Sequence, residues 1–307
     1  MGIRSGWITG LLVVVVLAAA ACGGSEESQP VVVGVGSTDE QRVLAALAVE
    51  ALTRAGVPTT AAGDLGDTVA LRRRAFDGDI DLFWDYTGAA WALGLGQQAP
   101  PADPVESYER VARADAEAGL VWLEPTQANA TLALFVRSED RPEPPGNTLS
   151  WLAGQLSAGD RPLCADPDFL DRPAGYQALA EEYAIAVERV DAVAASEDRA
   201  VAQVARGSCF AGLASATSGA AVAAGLARVT DDQRLFPAFV VAPVAAAEVM
   251  RRAPEVRSAL ADVSTRLSTQ ALAELNAQVV AGQDPQQVAT AFLDAQAVAA
   301  APDAVGT

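Results

Sequence analysis

The sequence predicts an α/β protein of two lobes, each a mostly parallel sheet flanked by helices. Short apolar runs alternate with amphipathic stretches of helical period, the rhythm of parallel strands joined by helices. A charged, proline-rich break, "SEDRPEPPGN", splits that rhythm into two runs. The stretches "RRRAFDGDIDLFWDYTGAA" and "VAQVARGSCFAGLASATSGAA", one from each run, also share a layout of helix, glycine stop, strand and small-residue turn.

In the first run, "VVVGVGS" (Val31 to Ser37) reads as a buried strand and "DEQRVLAALAVEALTRAG" as an amphipathic helix, with Asp39 as N-cap and Gly56 as its stop. "VPTTAAGDLGDT" supplies a second short strand and a turn, Thr68 to Phe76 a helix, and "DIDLFWDY" a third strand. Pro104 to Ala118 is predicted helical, and "GLVWLEP" and "ATLALFVR" are strands. In the second run, "RPLCADP" reads as strand, Ala174 to Tyr183 as helix, "IAVERV" as strand, Glu197 to Arg206 as helix and "CFAGLAS" as strand. "LFPAFVVAPV" follows, then helices through Arg252, Leu267, Val279 and Leu293, and a loose tail over 297–307.

Residues 1–21 combine one basic residue, Arg4, with the apolar run "WITGLLVVVVLAAAA", as an export signal does. That run is short for a spanning helix. "LAAAAC" is similar to a bacterial lipobox, which implies lipid on Cys22 after cleavage; an ordinary signal peptide beside an incidental cysteine is the alternative. Residues 22–30, with "GGSEESQP", then read as a flexible tether. The expected location is extracytoplasmic, anchored to the cell membrane by lipid.

Composition excludes several functions. The formal net charge is −18, and cleavage takes away Arg4 and no acid, leaving −19. Such a chain is not built for nucleic acid. All 21 basic residues are arginine and there is no histidine. Serine–histidine and cysteine–histidine nucleophiles, histidine-ligated zinc and lysine Schiff bases are therefore ruled out. No cofactor and no metal are expected. Beyond Cys22, Cys164 and Cys209 remain; in an oxidising compartment they read as a disulfide between neighbouring parallel strands, with two buried thiols as the alternative.

Aromatic residues are scarce: five tryptophans, four tyrosines and eight phenylalanines. Four of them, Phe83, Trp84, Tyr86 and Trp91, fall within nine residues in "DLFWDYTGAAW". The cluster reads either as a buried strand or as a wall for a ligand that prefers ring faces. Ligands of open α/β sheets bind beyond the carboxyl ends of strands, where Ser37-Thr38, Tyr86-Thr87, Glu124 to Thr126 and Ser215 to Thr217 are expected. Tyr86 would then face ligand, while Phe83 and Trp84 pack in the core.

The chain resembles the substrate-binding proteins of ABC importers for glycine betaine, choline, carnitine and related osmoprotectants. The resemblance rests on "GS" followed by "EQ" (Gly36, Ser37, Glu40, Gln41), "LGDT", "GDIDLFWDYTG", "GLVWLEPTQAN", "DPDFLDRPAG", the run from Asp231 containing "LFPAF", and "ELNAQV…GQDPQQVATAFL". It implies a type II periplasmic binding fold with two hinge crossovers, near Leu132 and Pro237. One lobe would comprise 31–132 and 238–296, the other 133–237. The implied partners are a small solute, an ABC permease with its ATPase, and the membrane through the lipid anchor; the implied state is a monomer. In such proteins a quaternary ammonium sits among four tyrosines near an acid, and an arginine holds the carboxylate. Carried over by position, the cage falls on Tyr86, Phe239, Thr126 and Ser215, the acid on Glu124 and the arginine on Arg172, with Thr38 and Thr87 at the strand ends. Two of four ring positions are thus small hydroxyls, which implies a wider, more polar site that could suit a different small polar solute. Trp91 and Tyr176 read as packing. Competing classes are an exported hydrolase using Asp85 or Glu124 and a sensor domain that feeds no transporter.

Overall fold

The computed structural model describes residue 2, residues 29–96 and residues 100–300. The signal segment, Cys22, most of the tether and the tail lie outside the described residues. No helix among the described residues is long and apolar enough to cross a membrane.

The first lobe opens with β1 (Val31–Val35), α1 (Asp39–Arg54), β2 (Thr59–Asp64), α2 (Thr68–Asp77), β3 (Leu82–Tyr86), α3 (Thr87–Gly94), α4 (Pro104–Glu117) and β4 (Leu120–Trp122). The chain crosses to the second lobe with β5 (Leu132–Arg137). There follow α5 (Leu149–Ser157), β6 (Leu163–Ala165), α6 (Pro167–Asp171), α7 (Ala178–Glu182), β7 (Ala192–Ala194), α8 (Glu197–Ala205), β8 (Ala211–Ser215), α9 (Gly219–Ala223) and β9 (Leu226–Arg228). It returns with β10 (Val241–Ala246), α10 (Ala247–Arg252), α11 (Glu255–Arg266), α12 (Thr269–Val280) and α13 (Pro285–Ala300).

Two five-stranded sheets result, β2-β1-β3-β10-β4 and β7-β6-β8-β5-β9. They are mixed rather than mostly parallel. In each, a strand that has just crossed between lobes, β10 or β5, enters antiparallel to both its neighbours, whereas the remaining pairs are parallel. The predicted rhythm registers strands joined by helices and has no signal for a strand arriving from the other lobe.

The two crossing segments run side by side. Thr126 and Ala130 donate their amides to the carbonyls of Val241 and Phe239, Val241 donates to Ala128, and the Thr131 hydroxyl donates to Pro237 O at 2.6 Å.

β3 lies at the centre of the first sheet. Alternation places Leu82, Trp84 and Tyr86 toward α1 and the terminal helices, and Phe83 toward the core formed with α3 and α4. Phe83 and Trp84 are buried, as expected. Trp91 is buried too, with the Arg110 guanidinium 5.7 Å over its ring.

Local departures have local causes. Thr38, not Asp39, caps α1: its hydroxyl accepts from Gln41 N and the Gln41 side chain accepts from Thr38 N, a capping box. "VER" makes a tight turn and the edge strand falls on Ala192–Ala194, where the register against Leu163–Ala165 is available. The predicted helix from Ala174 begins only at Ala178, because Gly175 adopts φ −110° and ψ −121°. Its backbone lies so close to Phe169 that a Cβ there would come within 1.9 Å of a carbonyl oxygen. Helix α5 and strand β9 have no counterpart in the sequence reading; β9 has three residues, too few to display alternation.

Candidate functional site

The carboxyl ends of β3 and β8 face each other across the space between the lobes, and side chains from α1, α12 and the residues after β8 meet there. Tyr86 is the last residue of β3 and the N-cap of α3. Its hydroxyl donates to Glu40 Oε1 at 2.7 Å. Glu40 sits in the first turn of α1, and its Oε2 accepts the Asn276 side-chain amide, also at 2.7 Å. That amide donates as well to the carbonyl of Thr217, on the second lobe, at 2.9 Å. The Thr217 hydroxyl lies 2.9 Å from that of Ser215 and faces the Glu40 carboxylate. One hydrogen-bonded chain therefore joins Ser215 and Thr217 of one lobe to Glu40, Tyr86 and Asn276 of the other.

The backbones are as close as the side chains. A Cβ on Gly219 would come within 2.4 Å of the Asn276 carbonyl carbon, so only glycine lets α9 seat against α12 here.

Burial pushes Glu40 above the usual glutamate range, although Thr217, Tyr86 and Asn276 hold its charged form. Partial withdrawal from water also raises Glu197, at the start of α8; Ser218 and the Ser215 backbone oppose the rise, while Asp198 and Glu40 add to it. Burial, with Glu40 and Asp85 close by, drives the Tyr86 phenol well above its ordinary value, so it is a neutral donor.

The other predicted site residues divide. Phe239 lies on the returning crossover with its amide held by Asn129 Oδ1 at 2.7 Å. Its ring covers Gly88, in the first turn of α3, so closely that a Cβ there would come within 2.4 Å of a ring carbon. Tyr86 and Phe239 thus flank the same helix start. Ser215 ends β8, half-buried, within the chain just described.

Thr87 and Thr126 are placed differently from the expectation. Thr87 is fully buried, its hydroxyl donating to Ala238 O and accepting from Val240 N. Thr126 donates to Val241 O at 2.7 Å and accepts from Ala128 N. The Thr87 hydroxyl thus serves the Ala238 carbonyl and the Val240 amide, and the Thr126 hydroxyl serves the Ala128 amide and adds a second bond to the Val241 carbonyl that Thr126 N already engages. The Thr38 hydroxyl is engaged as the cap of α1. Glu124 is exposed and paired with Arg257, on α11, at 2.8 Å. Arg172 is exposed at the end of α6, its guanidinium 5.7 Å from the Phe169 ring centre, with no ion pair to Asp168 or Asp171 among the described residues. Tyr176 packs against the second-lobe core. Cys164, in β6, and Cys209, just before the neighbouring β8, are joined, with Cα atoms 6.0 Å apart.

The acid beside Tyr86 has another task. Asp85 is sealed from solvent; one carboxylate oxygen accepts from Arg72 and the other from Tyr86 N. Arg72 also binds Asp115 at 2.8 and 3.0 Å, and Asp115 accepts the Trp122 indole N–H at 2.7 Å. Burial pushes Asp85 up to about 6 against the pull of Arg72. With no route to substrate, Asp85 is a support for the strand end rather than a general base.

Sequence reasoning missed Glu40 and Asn276 as cleft residues, whereas Thr217 lies in the strand-end segment Ser215 to Thr217 expected there. Glu40 and Asn276 sit inside the motifs "EQ" and "ELNAQV", so the signal was present without a role attached.

A family described as "Substrate binding domain of ABC-type glycine betaine transport system" (OpuAC) matches residues 29–295. The glycine-betaine-binding protein of Pseudomonas aeruginosa is 31% identical over 278 residues, covering 85% of this chain and 86% of that protein. Glycine betaine-binding protein YehZ of Escherichia coli K12 is 29% identical over 276 residues, covering 87% and 90%. The solved structure of apo YehZ from Escherichia coli superposes with a TM-score of 0.78 at 27% identity, over 87% of this chain and 99% of that one. A type II two-lobed architecture and a match over nearly the whole folded chain agree: the protein belongs to the OpuAC family and is a substrate-binding protein of glycine-betaine-type ABC transport, a family of binding proteins and not of enzymes.

Proposed function

We propose that the protein is a lipid-anchored receptor that captures a quaternary-ammonium osmoprotectant, such as glycine betaine, choline or carnitine, between its lobes and presents it to an ABC permease. The observation that carries this reading is the Tyr86 ring at the carboxyl end of β3, braced by Glu40 at 2.7 Å and set beside Phe239. A methylated ammonium offers no N–H donor, so ring faces and negative charge are what hold it, at about 0.5–2 kcal/mol per ring. The paired crossovers are the natural hinge, since closure then needs only backbone rotations at 123–131 and 229–240. Arg172 follows β6 and remains available for a ligand carboxylate, which a guanidinium engages bidentately. Lipid on Cys22 would keep the receptor beside its permease.

Calorimetric titration with glycine betaine, choline, carnitine and proline betaine tests the reading, with unrelated sugars and amino acids as controls. Saturable binding of at least one methylated ammonium is expected, and binding confined to the controls would overturn it. A second reading, a different small polar solute, is favoured by one observation: Thr126 and Ser215 offer no ring where the resemblance implies one, and the Thr126 hydroxyl is already bonded to backbone. The same titration separates the two. Metabolic labelling with palmitate, lost in Cys22→Ala, tests the anchor.

A further inference from the structure

A recess of about 260 Å³ lies where the edge of the second sheet meets α12 of the first lobe, and Glu40, Tyr86 and Phe239 take no part in its lining. Phe135 of β5 stands opposite Arg228 of β9, and Arg137 opposite Leu226, so these four side chains share one face of the strand pair. Val222 of α9 adds a further apolar wall, and Gln270 and Ala273 of α12 line the recess from the first lobe. The two arginines on the shared face differ. Arg137 is neutralised by Glu139 at 2.9 Å and Asp140 at 2.7 Å. Among the described residues Arg228 takes part in no ion pair, and its side chain in no hydrogen bond. Partial withdrawal from water pushes its guanidinium below its ordinary value, and no acid opposes that shift. One side of Arg228 stays open to solvent, so the recess has an entrance. On the opposite wall the Gln270 amide is already donated to Glu274 at 2.8 Å, which leaves Arg228 as the free charge of the site.

We propose that this recess is a second ligand site, separate from the solute cleft, and that it takes a small organic anion: an apolar body carrying one carboxylate, which Arg228 holds. The chain as a whole has a formal net charge of −18, so an unneutralised cation set among apolar groups is a local reversal of sign. A cation partly out of water and without a counter-charge attracts an anion. The guanidinium fork matches a carboxylate with parallel N–H···O bonds, while Phe135, Val222, Leu226 and Ala273 offer apolar surface to the rest of the molecule. The recess is smaller than the roughly 300–1,000 Å³ of sites for drug-sized ligands, which suits a short chain. The inference holds whichever solute the cleft takes.

Hexanoate, the uncharged hexanamide and acetate provide the test, titrated calorimetrically into wild type and into variants at three arginines. Wild type should bind hexanoate saturably, and more tightly than hexanamide or acetate by about fivefold or more. Arg228→Gln should weaken hexanoate about tenfold while changing hexanamide by less than about twofold. Arg228→Lys restores the charge without the fork and should lose only about threefold, and it carries the comparison should Arg228→Gln fail to fold by circular dichroism. Arg141→Gln, at an exposed arginine between β5 and α5, should leave hexanoate binding as it is. No saturable binding of hexanoate by wild type would overturn the proposal. Equal losses in Arg228→Gln and Arg141→Gln would overturn it as well, by reducing the effect to general surface charge. A loss in Arg172→Gln with none in Arg228→Gln would put hexanoate in the solute cleft and overturn it too.

Discussion

Tyr86 donates its hydroxyl to Glu40 at 2.7 Å, while Asp85, its neighbour in the chain, points the opposite way into a buried knot with Arg72. Strand alternation divides the pair. One side chain faces the space between the lobes and the other fixes the strand that presents it, through Asp85 Oδ1 and the Tyr86 amide at 2.7 Å. Tyr86→Ala should therefore reduce affinity for the true solute by about tenfold or more, since a stacked ring is lost from a partly dry site. Tyr86→Phe keeps the ring and should cost less than about fivefold. Calorimetry on both variants checks the order; equal losses would assign the effect to the hydroxyl instead.

Arg72 is the counterion of two buried carboxylates, and removing it strands both. Arg72→Ala should lower unfolding free energy by about 3–5 kcal/mol, read from denaturant titrations. Because the same knot sets the end of β3, solute affinity should fall as well in whatever fraction remains folded. A loss below about 1 kcal/mol would mean that water or rearrangement compensates Asp85 and Asp115.

How much of this was legible beforehand follows from the range of each signal. The central strand, its neighbours and the helix from α1 are local patterns, and periodicity finds them. The antiparallel entry of β5 and β10 depends on contacts made after the chain has left one lobe and returned, which no short window contains. The cleft shows the same division. The place of Tyr86 at the end of its strand was legible because the apolar run stops there and a small-residue turn follows. Thr87 and Thr126 carried the same hydroxyl and the same kind of address, yet each closes a crossover hydrogen bond whose partner is more than a hundred residues away. Glu124 reads as an acid near a strand end, but its pairing with Arg257 depends on where α11 packs.

Cys164 and Cys209, 45 residues apart and joined across neighbouring strands, should leave no free thiol in the soluble chain from Gly23 onward when it is denatured without reductant. Reduction, or Cys164→Ser with Cys209→Ser, should cost about 3–4 kcal/mol by the loop-entropy relation. Thiol titration and thermal melts measure each. Two titratable thiols would refute the bridge.

Gly219 supports contact between α9 and α12 that a side chain would forbid, since its added Cβ would meet Asn276 and Ala277 backbone at 2.4 and 2.5 Å. Neither backbone atom can swing aside as a flexible side chain would. Gly219→Ala should leave each lobe folded but force the lobes apart at this seam. Small-angle scattering should show a larger radius of gyration, and solute affinity should fall by about tenfold. An unchanged radius and affinity would show that the seam plays no part in closure.

Acid should weaken cation binding without weakening the fold through the same groups. Glu40 is raised above its ordinary value by burial, and Glu197 by partial burial with Asp198 and Glu40 nearby. A carboxyl group raised in the folded state binds its proton more tightly there than in the unfolded chain. It therefore favours folding below its ordinary value of about 4.3 and loses that contribution as pH rises through the raised value. Asp85, at about 6, contributes to stability with the same sign but is sealed from the cleft behind Arg72. Protonation of Glu40, which accepts the Tyr86 hydroxyl, removes negative charge beside that ring, so choline affinity should decline as pH falls from about 7 into the range just above ordinary glutamate titration. The neighbouring Tyr86 phenol stays neutral throughout. Calorimetry of choline binding across that range should show the decline in wild type and a flatter profile in Glu40→Gln. The melting temperature of the unliganded protein should not fall in parallel from these groups. A wild-type profile as flat as the variant's would place the titrating charges outside the cleft.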